Sequence, residues 1–314
     1  MRLGVVGAGG IAARHLVALA QDGGGGVEVS AHLARGPERA AAAAARFGGA
    51  AFSDIDAFIA EGRPEAVLVT VPPAEHGAVE RALIAAGVPF LVEKPIGLDA
   101  ETPEAIARGI EAGGLVAAVG YNWRALETLE RVRWLLAETP AQMVLGRFHG
   151  GTPATPWWRF AAESGGQMLE QACHMVDLAR HLVGEGEVLG GAGGFAALPE
   201  FADGDVAGSS AALLRFGGVP GVVTATCLLP GGPGPELRLI CAGREIAITL
   251  AGVTITARGQ SSVLESRASS YARQDRRFLE AVRSGKRDDV FCTYADALAT
   301  HRLCLDIAKA IGTA

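Results

Sequence analysis

The sequence predicts a two-domain α/β protein. A doubly wound parallel sheet is expected over residues 1–121, and an α+β domain with a large, mostly antiparallel sheet over residues 122–314. The length is enough for two domains of ordinary size. In the first part, short apolar strands alternate with helices, which is typical of a parallel sheet with right-handed crossovers. After Pro140, long strands follow one another without intervening helices, which indicates antiparallel pairing.

The individual elements follow from apolar periodicity and from the turn residues between them. In the first domain we expect strands at 3–6, 27–33, 66–71, 90–92 and 116–121, and helices at 11–19, 37–47, 75–86 and 103–112. In the second domain we expect strands at 143–149, 206–216, 218–228, 236–242, 245–250 and 253–257, and helices at 126–136, 165–183, 271–284 and 294–311.

Composition excludes several classes of function. With 49% apolar and 20% charged residues the chain is globular, and its net charge of −6 argues against a nucleic-acid partner. No apolar run reaches membrane-spanning length, and the chain enters its first strand without a signal-peptide pattern. The five cysteines are scattered and form no C-x-x-C pair. We therefore expect a cytoplasmic protein without a cysteine-based zinc site.

A glycine-rich turn follows the first strand. Gly7 allows a tight turn, Gly9 lets the backbone approach a pyrophosphate, and Ala12 lets the next helix pack on the strand. Gly10 and Ile11 open that helix, whose amides and dipole would hold the phosphates. The alternative is a simple glycine turn. The spacing within a strand–turn–helix context predicts a dinucleotide-binding Rossmann domain.

The end of the second strand bears on the choice of cofactor. An acidic residue there holds the ribose 2′-hydroxyl of NAD, whereas an arginine accommodates the 2′-phosphate of NADP. The expected acidic position is Ala34, and Arg35 follows it. We therefore predict NADP(H) over NAD(H). The alternative is that Arg35 only caps a solvated loop.

Two further strand ends carry polar residues. The third predicted strand ends near Pro72, and His76 is expected on the first turn of the next helix, close to the cofactor or packed under the loop. The strand at 90–92 ends in Glu93, Lys94 and Pro95. Ligands of such sheets bind outside the carboxyl ends of the strands. A lysine held there can take part in chemistry, although a surface Glu–Lys pair is the plainer interpretation.

One helix of the second domain carries a polar stripe. Glu170, His174, Asp177 and His181 are spaced to share one face of the helix at 165–183. A carboxylate one turn before a histidine can orient it and raise its basicity, as in a general base. The stripe is also compatible with structural hydrogen bonds or with solvent exposure. A metal site would need a further clear ligand, so we predict none.

A loop upstream of that helix contains Trp157, Trp158 and Arg159. Such residues suit a pocket for a small polar ligand, although one of the tryptophans is expected in the core.

Together these motifs resemble the glucose–fructose oxidoreductase/inositol dehydrogenase/rhizopine catabolism (Gfo/Idh/MocA) family over nearly the whole chain. The resemblance rests on the Gly7–Ala12 turn, Pro72 with His76, Glu93-Lys94-Pro95, Tyr121-Asn122-Trp123-Arg124, and Gly165-Gly166 leading to Glu170, His174 and Asp177. It implies a Rossmann domain, an open-faced C-terminal sheet that pairs subunits into homodimers or homotetramers, a bound nicotinamide, and often a cis Lys94–Pro95 bond. The substrates it implies are sugars, polyols and their derivatives.

The chain departs from the family pattern at two positions. Ala34 stands where the family has an acidic residue, and Glu170 stands where it usually has aspartate. The first leaves cofactor choice open, and the second changes the reach of the carboxylate.

The function that follows is hydride transfer between a nicotinamide and a sugar or polyol. His174 would accept the hydroxyl proton with Glu170 orienting it, and Lys94 would stabilise negative charge on the oxygen. Pro72, His76 and Glu93 would contact the cofactor. The remaining hydroxyls would be bound by Tyr121, Trp157, Trp158, Arg159 and Asp177. Two other classes stay open: a hydrolase or lyase that uses NAD transiently, and a non-catalytic ligand sensor.

Overall fold

The computed structural model describes residues 1–312, and its chain divides into two compact units. The first unit contains Met1–Ala125 and Ser269–Leu298, and the second contains Leu126–Ala268 and residues 299–312. The division near residue 125 is close to the predicted boundary. The second domain predicted over residues 122–314 differs from the second unit of the structure, because residues 269–298 belong to the first unit.

The strands are β1 Arg2–Val6, β2 Glu28–Leu33, β3 Ala50–Phe52, β4 Ala66–Val69, β5 Phe90–Val92, β6 Ala117–Val119, β7 Ala141–His149, β8 Gly186–Gly194, β9 Ser209–Phe216, β10 Val219–Thr226, β11 Gly234–Cys241, β12 Arg244–Thr249, β13 Gly252–Ala257 and β14 Gln260–Glu265. The helices are α1 Gly10–Gln21, α2 Pro37–Phe47, α3 Ile55–Gly62, α4 Ala78–Ala85, α5 Glu101–Gly113, α6 Leu129–Glu138, α7 Ala161–Ser164, α8 Gly166–Glu170, α9 Cys173–Val183, α10 Ser270–Ser284 and α11 Tyr294–Ile311.

The sheet of the first unit has six parallel strands in the order β3-β2-β1-β4-β5-β6. This order confirms the predicted doubly wound fold. Strands are added from β1 toward β3 on one side and from β4 toward β6 on the other, so the order switches between β1 and β4. Such sheets bind dinucleotides at this switch point. β3 and α3 were not predicted from the sequence. β3 is only three residues long, and α3 is capped at its N-terminus by Asp54, whose side chain accepts a hydrogen bond from the Ala57 N–H.

One hydrophobic core explains why α10 belongs to the first unit. Leu3, Leu68 and Leu91 of the sheet pack with Leu16 of α1 and Phe278 of α10, and all five are almost fully buried. Helix α10 lies far along the chain but covers the same face of the sheet as α1. Local sequence pattern carries no signal for such a return.

The second unit contains an eight-stranded sheet in the order β14-β13-β12-β11-β7-β10-β9-β8. Its neighbouring strands are antiparallel except for the parallel pair β7 and β10, which confirms a mostly antiparallel sheet. α9 packs closely over the inner face at Gly146, where an added Cβ would lie 3.2 Å from the Met175 Cβ. β8 and β14 were not predicted, since one is rich in glycine and the other is exposed throughout.

Two predicted helices are interrupted. The one at 75–86 becomes a short 3₁₀ turn at Pro73–Glu75 followed by α4, with Gly77 at φ +115° between them. The one at 165–183 becomes α8 and α9. There the Ala172 N–H donates to the Gln167 carbonyl, five residues back, which inserts an extra residue into the turn. Among residues 1–312, none of the helices combines the length and apolar character that a membrane crossing requires.

Candidate active site

The turn between β1 and α1 requires glycine at its first position. Gly7 has φ +92°, and a Cβ there would lie 2.6 Å from the Thr70 carbonyl oxygen. The Gly7 N–H donates to the Leu33 carbonyl at 2.9 Å, and the Thr70 N–H donates to the Val6 carbonyl at 2.8 Å. The turn is therefore fixed to the ends of both neighbouring strands, β2 and β4.

The start of α1 has the shape that a pyrophosphate needs. A Cβ built on Gly9 or Gly10 would meet no atom within 4 Å, so the space next to the backbone is open. The first N–H groups of a helix have no partner within it, and the dipole favours an anion there. Ile11 is 37% exposed at this end, whereas Ala12 is buried against the sheet. These residues fit the phosphates of a dinucleotide.

Arg35 follows β2 and has an acidic neighbour. Its side chain is 80% exposed, and its Nη1 lies 2.7 Å from Glu75 Oε1. The preceding residue, Ala34, is buried, and its N–H donates to the Phe52 carbonyl. Sequence reasoning did not weigh Glu75, because it lies 40 residues from Arg35 and only the fold brings the two together.

His76 lies outside the helix on which it was expected. Its backbone is extended, its side chain is 2% exposed, and its Nδ1 lies 2.6 Å from Glu80 Oε1. Glu80 also accepts a 2.7 Å hydrogen bond from the Gly77 N–H, so it caps α4. Burial opposes ionisation of Glu80, but these hydrogen bonds and the charge of His76 outweigh it and lower its pKa. This is the geometry expected if His76 packs under the loop after Pro72, and its cofactor role stays a prediction.

The end of β5 places Lys94 at the carboxyl edge of the parallel sheet. The Glu93 N–H donates to the Val69 carbonyl at 2.8 Å, which continues the pairing with β4. Glu93 is 6% exposed, Lys94 is half-buried, and the Lys94–Pro95 bond is cis, as the resemblance implied. The lysine therefore stands in the same unit as the phosphate-binding turn, at the neighbouring strand ends.

A buried histidine next to Glu93 was missed at the sequence level. His15 of α1 is fully buried, with Nδ1 2.8 Å from Asp275 Oδ2 and Nε2 3.0 Å from Glu93 Oε1. One signal was available. His15 lies on the apolar face of α1 beside Ala12 and Leu16, and a polar residue on such a face needs a partner.

The segment after β6 is anchored within the first unit. Tyr121 is 1% exposed, the Asn122 side-chain amide donates to Ser270 Oγ at 3.0 Å, and Arg124 forms an ion pair with Asp296. The proposed substrate contact of Tyr121 stays a prediction.

In the second unit, Trp158 is the tryptophan expected in the core. It is 1% exposed and packs with Val206 and Cys227, and its indole N–H donates to Glu170 Oε2 at 2.7 Å. Trp157 is half-buried.

Arg159, also in this loop, has two contacts with the segment at 203–205. Its Nη2 lies 2.7 Å from Asp203 Oδ2, and its carbonyl accepts from the Asp205 N–H.

The predicted polar stripe is divided. Glu170 ends α8, whereas His174 is half-buried in the first turn of α9, so the two are not one turn apart on an unbroken helix. Asp177 is fully buried and accepts a 2.8 Å hydrogen bond from Thr300 Oγ1. His181 has its Nε2 2.6 Å from Arg133 Nη2. Asp177 as a substrate contact and Glu170 as the partner of His174 stay predictions.

Two family models match this chain. Residues 1–121 match an oxidoreductase family with an NAD-binding Rossmann fold, GFO_IDH_MocA, and residues 140–247 match the GFO/IDH/MocA C-terminal domain. A UDP-N-acetylglucosamine 3-dehydrogenase from Acidithiobacillus ferrooxidans is 33% identical over 133 residues, which are 42% of this chain and 41% of that protein. The matched part of the chain thus spans about two fifths of this curated relative.

Solved structures match over nearly the full length. The same Acidithiobacillus ferrooxidans enzyme has a TM-score of 0.84 at 22% identity, covering 99% of this chain and 97% of that one. A levoglucosan dehydrogenase in complex with NADH and levoglucosan has a TM-score of 0.86 at 19% identity, with the same coverage. The 3-ketoreductase KijD10 from Actinomadura kijaniata, in complex with NADP, has a TM-score of 0.85 at 22% identity, covering 99% and 98%. At these identities the likeness shows the fold.

Proposed function

The chain belongs to the Gfo/Idh/MocA family of oxidoreductases, and from that membership we propose that it transfers a hydride between a nicotinamide cofactor and a CH–OH carbon of a sugar, a polyol or a related derivative. One observation carries the proposal. The first unit combines a glycine turn with open space at the start of α1 and a lysine at the carboxyl end of β5. The named substrates of the matched proteins, a UDP-sugar and levoglucosan, support the substrate class.

The cofactor, when bound, supplies a ring carbon that accepts or donates hydride. Gly7, Gly9, Gly10 and Ile11 would hold its phosphates through the backbone. An alcohol that loses hydride must also lose its hydroxyl proton. In our proposal His174 accepts that proton at its imidazole, and Lys94 donates a hydrogen bond to the oxygen on which negative charge develops.

Glu170 would stabilise the positive charge that develops on the imidazole of His174, and Trp158 would fix the position of Glu170. The 2.7 Å hydrogen bond from the Trp158 indole N–H fixes the direction of the Glu170 carboxylate. We propose Tyr121, Trp157, Arg159 and Asp177 as contacts to the remaining hydroxyl groups of the substrate. Sugars present many such groups, and aromatic and guanidinium side chains bind them well.

The preferred cofactor in this proposal is NADP(H). The end of β2 offers the buried Ala34 in place of a carboxylate, and Arg35 is exposed enough to turn toward a 2′-phosphate. Glu75 competes for the same guanidinium, so binding of the phosphate would exchange one anion for another.

The proposed assembly is a homodimer or homotetramer formed through the outer face of the large sheet. Leu213, Val222 and Leu145 are aligned across β9, β10 and β7, and Met143 lies beside them. Leu213, Leu145 and Met143 are 49%, 37% and 43% exposed, and Val222 on the strand between β9 and β7 is half-buried. A contiguous exposed apolar patch of this kind marks an interaction site. The cytoplasm is the proposed compartment, because all five cysteines are buried as thiols.

A binding and turnover screen tests the function. The purified protein is denatured, any released nicotinamide is identified by mass spectrometry, and polyols, aldoses and keto-sugars are tested for a change in nicotinamide absorbance. We expect NADP(H) and turnover of at least one such compound. Failure to bind either nicotinamide would contradict the proposal.

A further inference from the structure

A trio of titratable side chains, His15, Glu93 and Asp275, is buried in the first unit. His15 of α1 is 0% exposed, with Nδ1 2.9 and 2.8 Å from the two oxygens of Asp275 and Nε2 3.0 Å from Glu93 Oε1. Asp275, on α10, is also 0% exposed. The three side chains come from three separate parts of the chain, and one of them, Glu93, directly precedes Lys94.

The geometry requires two shared protons. Carboxylates only accept hydrogen bonds when ionised, and a neutral imidazole has a single N–H to donate. Because both ring nitrogens face carboxylate oxygens, each contact needs its own proton. Either two carboxylates with a doubly protonated ring or a neutral ring with one protonated carboxyl supplies both protons, and burial raises the pKa of Asp275. We assign the doubly protonated ring. Burial alone lowers the pKa of His15, but the adjacent Asp275 carboxylate and the hydrogen bonds to Asp275 and Glu93 raise it to about 10.

The surroundings leave little freedom for this trio. The ring of Tyr271 meets His15 edge-on at 5.0 Å between ring centroids, and the guanidinium of Arg14 lies 5.5 Å from the Tyr271 ring centroid. Gly120 leaves the room that Glu93 occupies, since a Cβ there would lie 2.3 Å from Glu93 Oε1. The titratable groups in contact with His15 are therefore Asp275 and Tyr271 on α10 and Glu93 after β5, while Arg14 lies against Tyr271.

We propose that His15 is a positioning residue that clamps Glu93 to Asp275 and thereby fixes Lys94 at the carboxyl end of β5. The proposal rests on the proposed function, since Lys94 is assigned to the reaction there. An ionised carboxylate as buried as Glu93 is costly without a partner. Without the imidazolium, Glu93 would move toward solvent and displace the backbone of the next residue. A displacement of about 1 Å at a catalytic group can cost about a hundredfold in rate.

The first test observes the clamp itself and needs no substrate. Protein labelled with ¹⁵N-histidine is studied by NMR at pH 8, where ring nitrogen shifts report protonation. We expect both nitrogens of His15 to carry protons. His32 is the matched internal control, since it is buried to a similar degree while burial lowers its pKa. A neutral His15 ring at pH 8 would overturn the proposal, whatever the enzyme does.

The second test links the clamp to Lys94. In Asp275→Asn the carboxylate that raises the pKa of His15 is lost, so the imidazolium disappears as pH rises through the lowered pKa. Its kcat should therefore begin to fall at a lower pH than the kcat of the wild type, in which the Asp275 carboxylate raises the pKa of His15 to about 10. His15→Gln should lower kcat about ten- to hundredfold, with the KM for nicotinamide unchanged. His32→Gln should leave kcat unchanged.

Two results would contradict the coupling. One is a lower melting temperature for His15→Gln and Asp275→Asn with unaltered kcat and pH profile, which would make the trio structural only. The other is a crystal structure of His15→Gln in which Lys94 keeps its wild-type position. Absence of turnover in the wild type would contradict the proposed function instead. The NMR and crystallographic results would still test whether His15 positions Glu93 and Lys94.

Discussion

The indole N–H of Trp158 donates a 2.7 Å hydrogen bond to the carboxylate of Glu170, and the tryptophan that does so is 1% exposed. The residue proposed to stabilise the charge on His174 is thus itself fixed by a rigid aromatic side chain in the core of the second unit. The adjacent tryptophans of the sequence have different roles, since Trp157 is half-buried and Trp158 is a buried donor.

Trp158→Phe should lower kcat several-fold while leaving nicotinamide binding intact. The phenyl ring fills most of the volume but cannot donate, so Glu170 loses a hydrogen bond and the variant is destabilised by about 1–3 kcal/mol. Steady-state kinetics and urea unfolding measure the two effects. Trp134→Phe is the control, because Trp134 is 49% exposed on α6. An unchanged kcat in a destabilised Trp158→Phe would show that the contact is structural only.

Arg35→Ala should weaken NADP binding about ten- to hundredfold, since a charge-assisted hydrogen bond contributes about 1.5–3 kcal/mol. Binding of NAD should change little. Glu75→Gln should strengthen NADP binding, because it removes the carboxylate that lies 2.7 Å from the guanidinium. Dissociation constants for both cofactors, with Arg46→Ala on α2 as the control, decide the point. A clear preference of the wild type for NAD(H) would contradict our cofactor proposal.

Glu80→Gln should destabilise the protein at neutral pH and lose its effect in acid. Because the pKa of Glu80 is lowered by its contacts to His76 and Gly77, its ionised form stabilises the folded state above the pKa of the unfolded chain. That contribution disappears as pH falls through the lowered pKa. Urea unfolding at several pH values measures it, with the exposed Glu61→Gln as the control. A pH-independent difference between wild type and Glu80→Gln would disprove the linkage.

Leu145→Asp should dissociate the proposed oligomer without unfolding the subunit. Leu145 lies on the outer face of β7, and a charge placed in an apolar interface is costly. Light scattering gives the mass of wild type and variant. Leu250→Asp, in the turn between β12 and β13 and 45% exposed, should keep the wild-type mass. A monomeric wild type would refute the assembly.

The sequence predicts those features of the fold whose determinants are local. Alternating apolar strands and helices, the glycine turn at Gly7 and the long amphipathic helices near the C-terminus each depend on neighbouring residues, and α2 and α11 have the predicted bounds. β3 was missed because a three-residue strand carries almost no periodicity. β14 was missed because none of its residues is buried.

The rest depends on contacts between distant residues. The break after Glu170 arises at the carbonyl of Gln167, which accepts a hydrogen bond from the N–H of Ala172, five residues later. No residue type in this segment predicts that bond. His15 and Asp275 are 260 residues apart, so only the return of α10 to the first unit pairs them. A helical face bearing one histidine among apolar residues predicts that a partner exists but cannot identify it.

The most direct test of the proposed hydride transfer is the change in nicotinamide absorbance during turnover of the substrate found by screening, measured for wild type, Lys94→Ala and His174→Ala. We expect the wild type to convert substrate and cofactor in equal amounts. Each variant should lose more than about a hundredfold in kcat, since a positioned acid–base or electrostatic group contributes about that much or more, and should keep its circular dichroism spectrum. Near-normal turnover in both variants, or conversion of a glycoside with no net change in nicotinamide absorbance, would contradict the account.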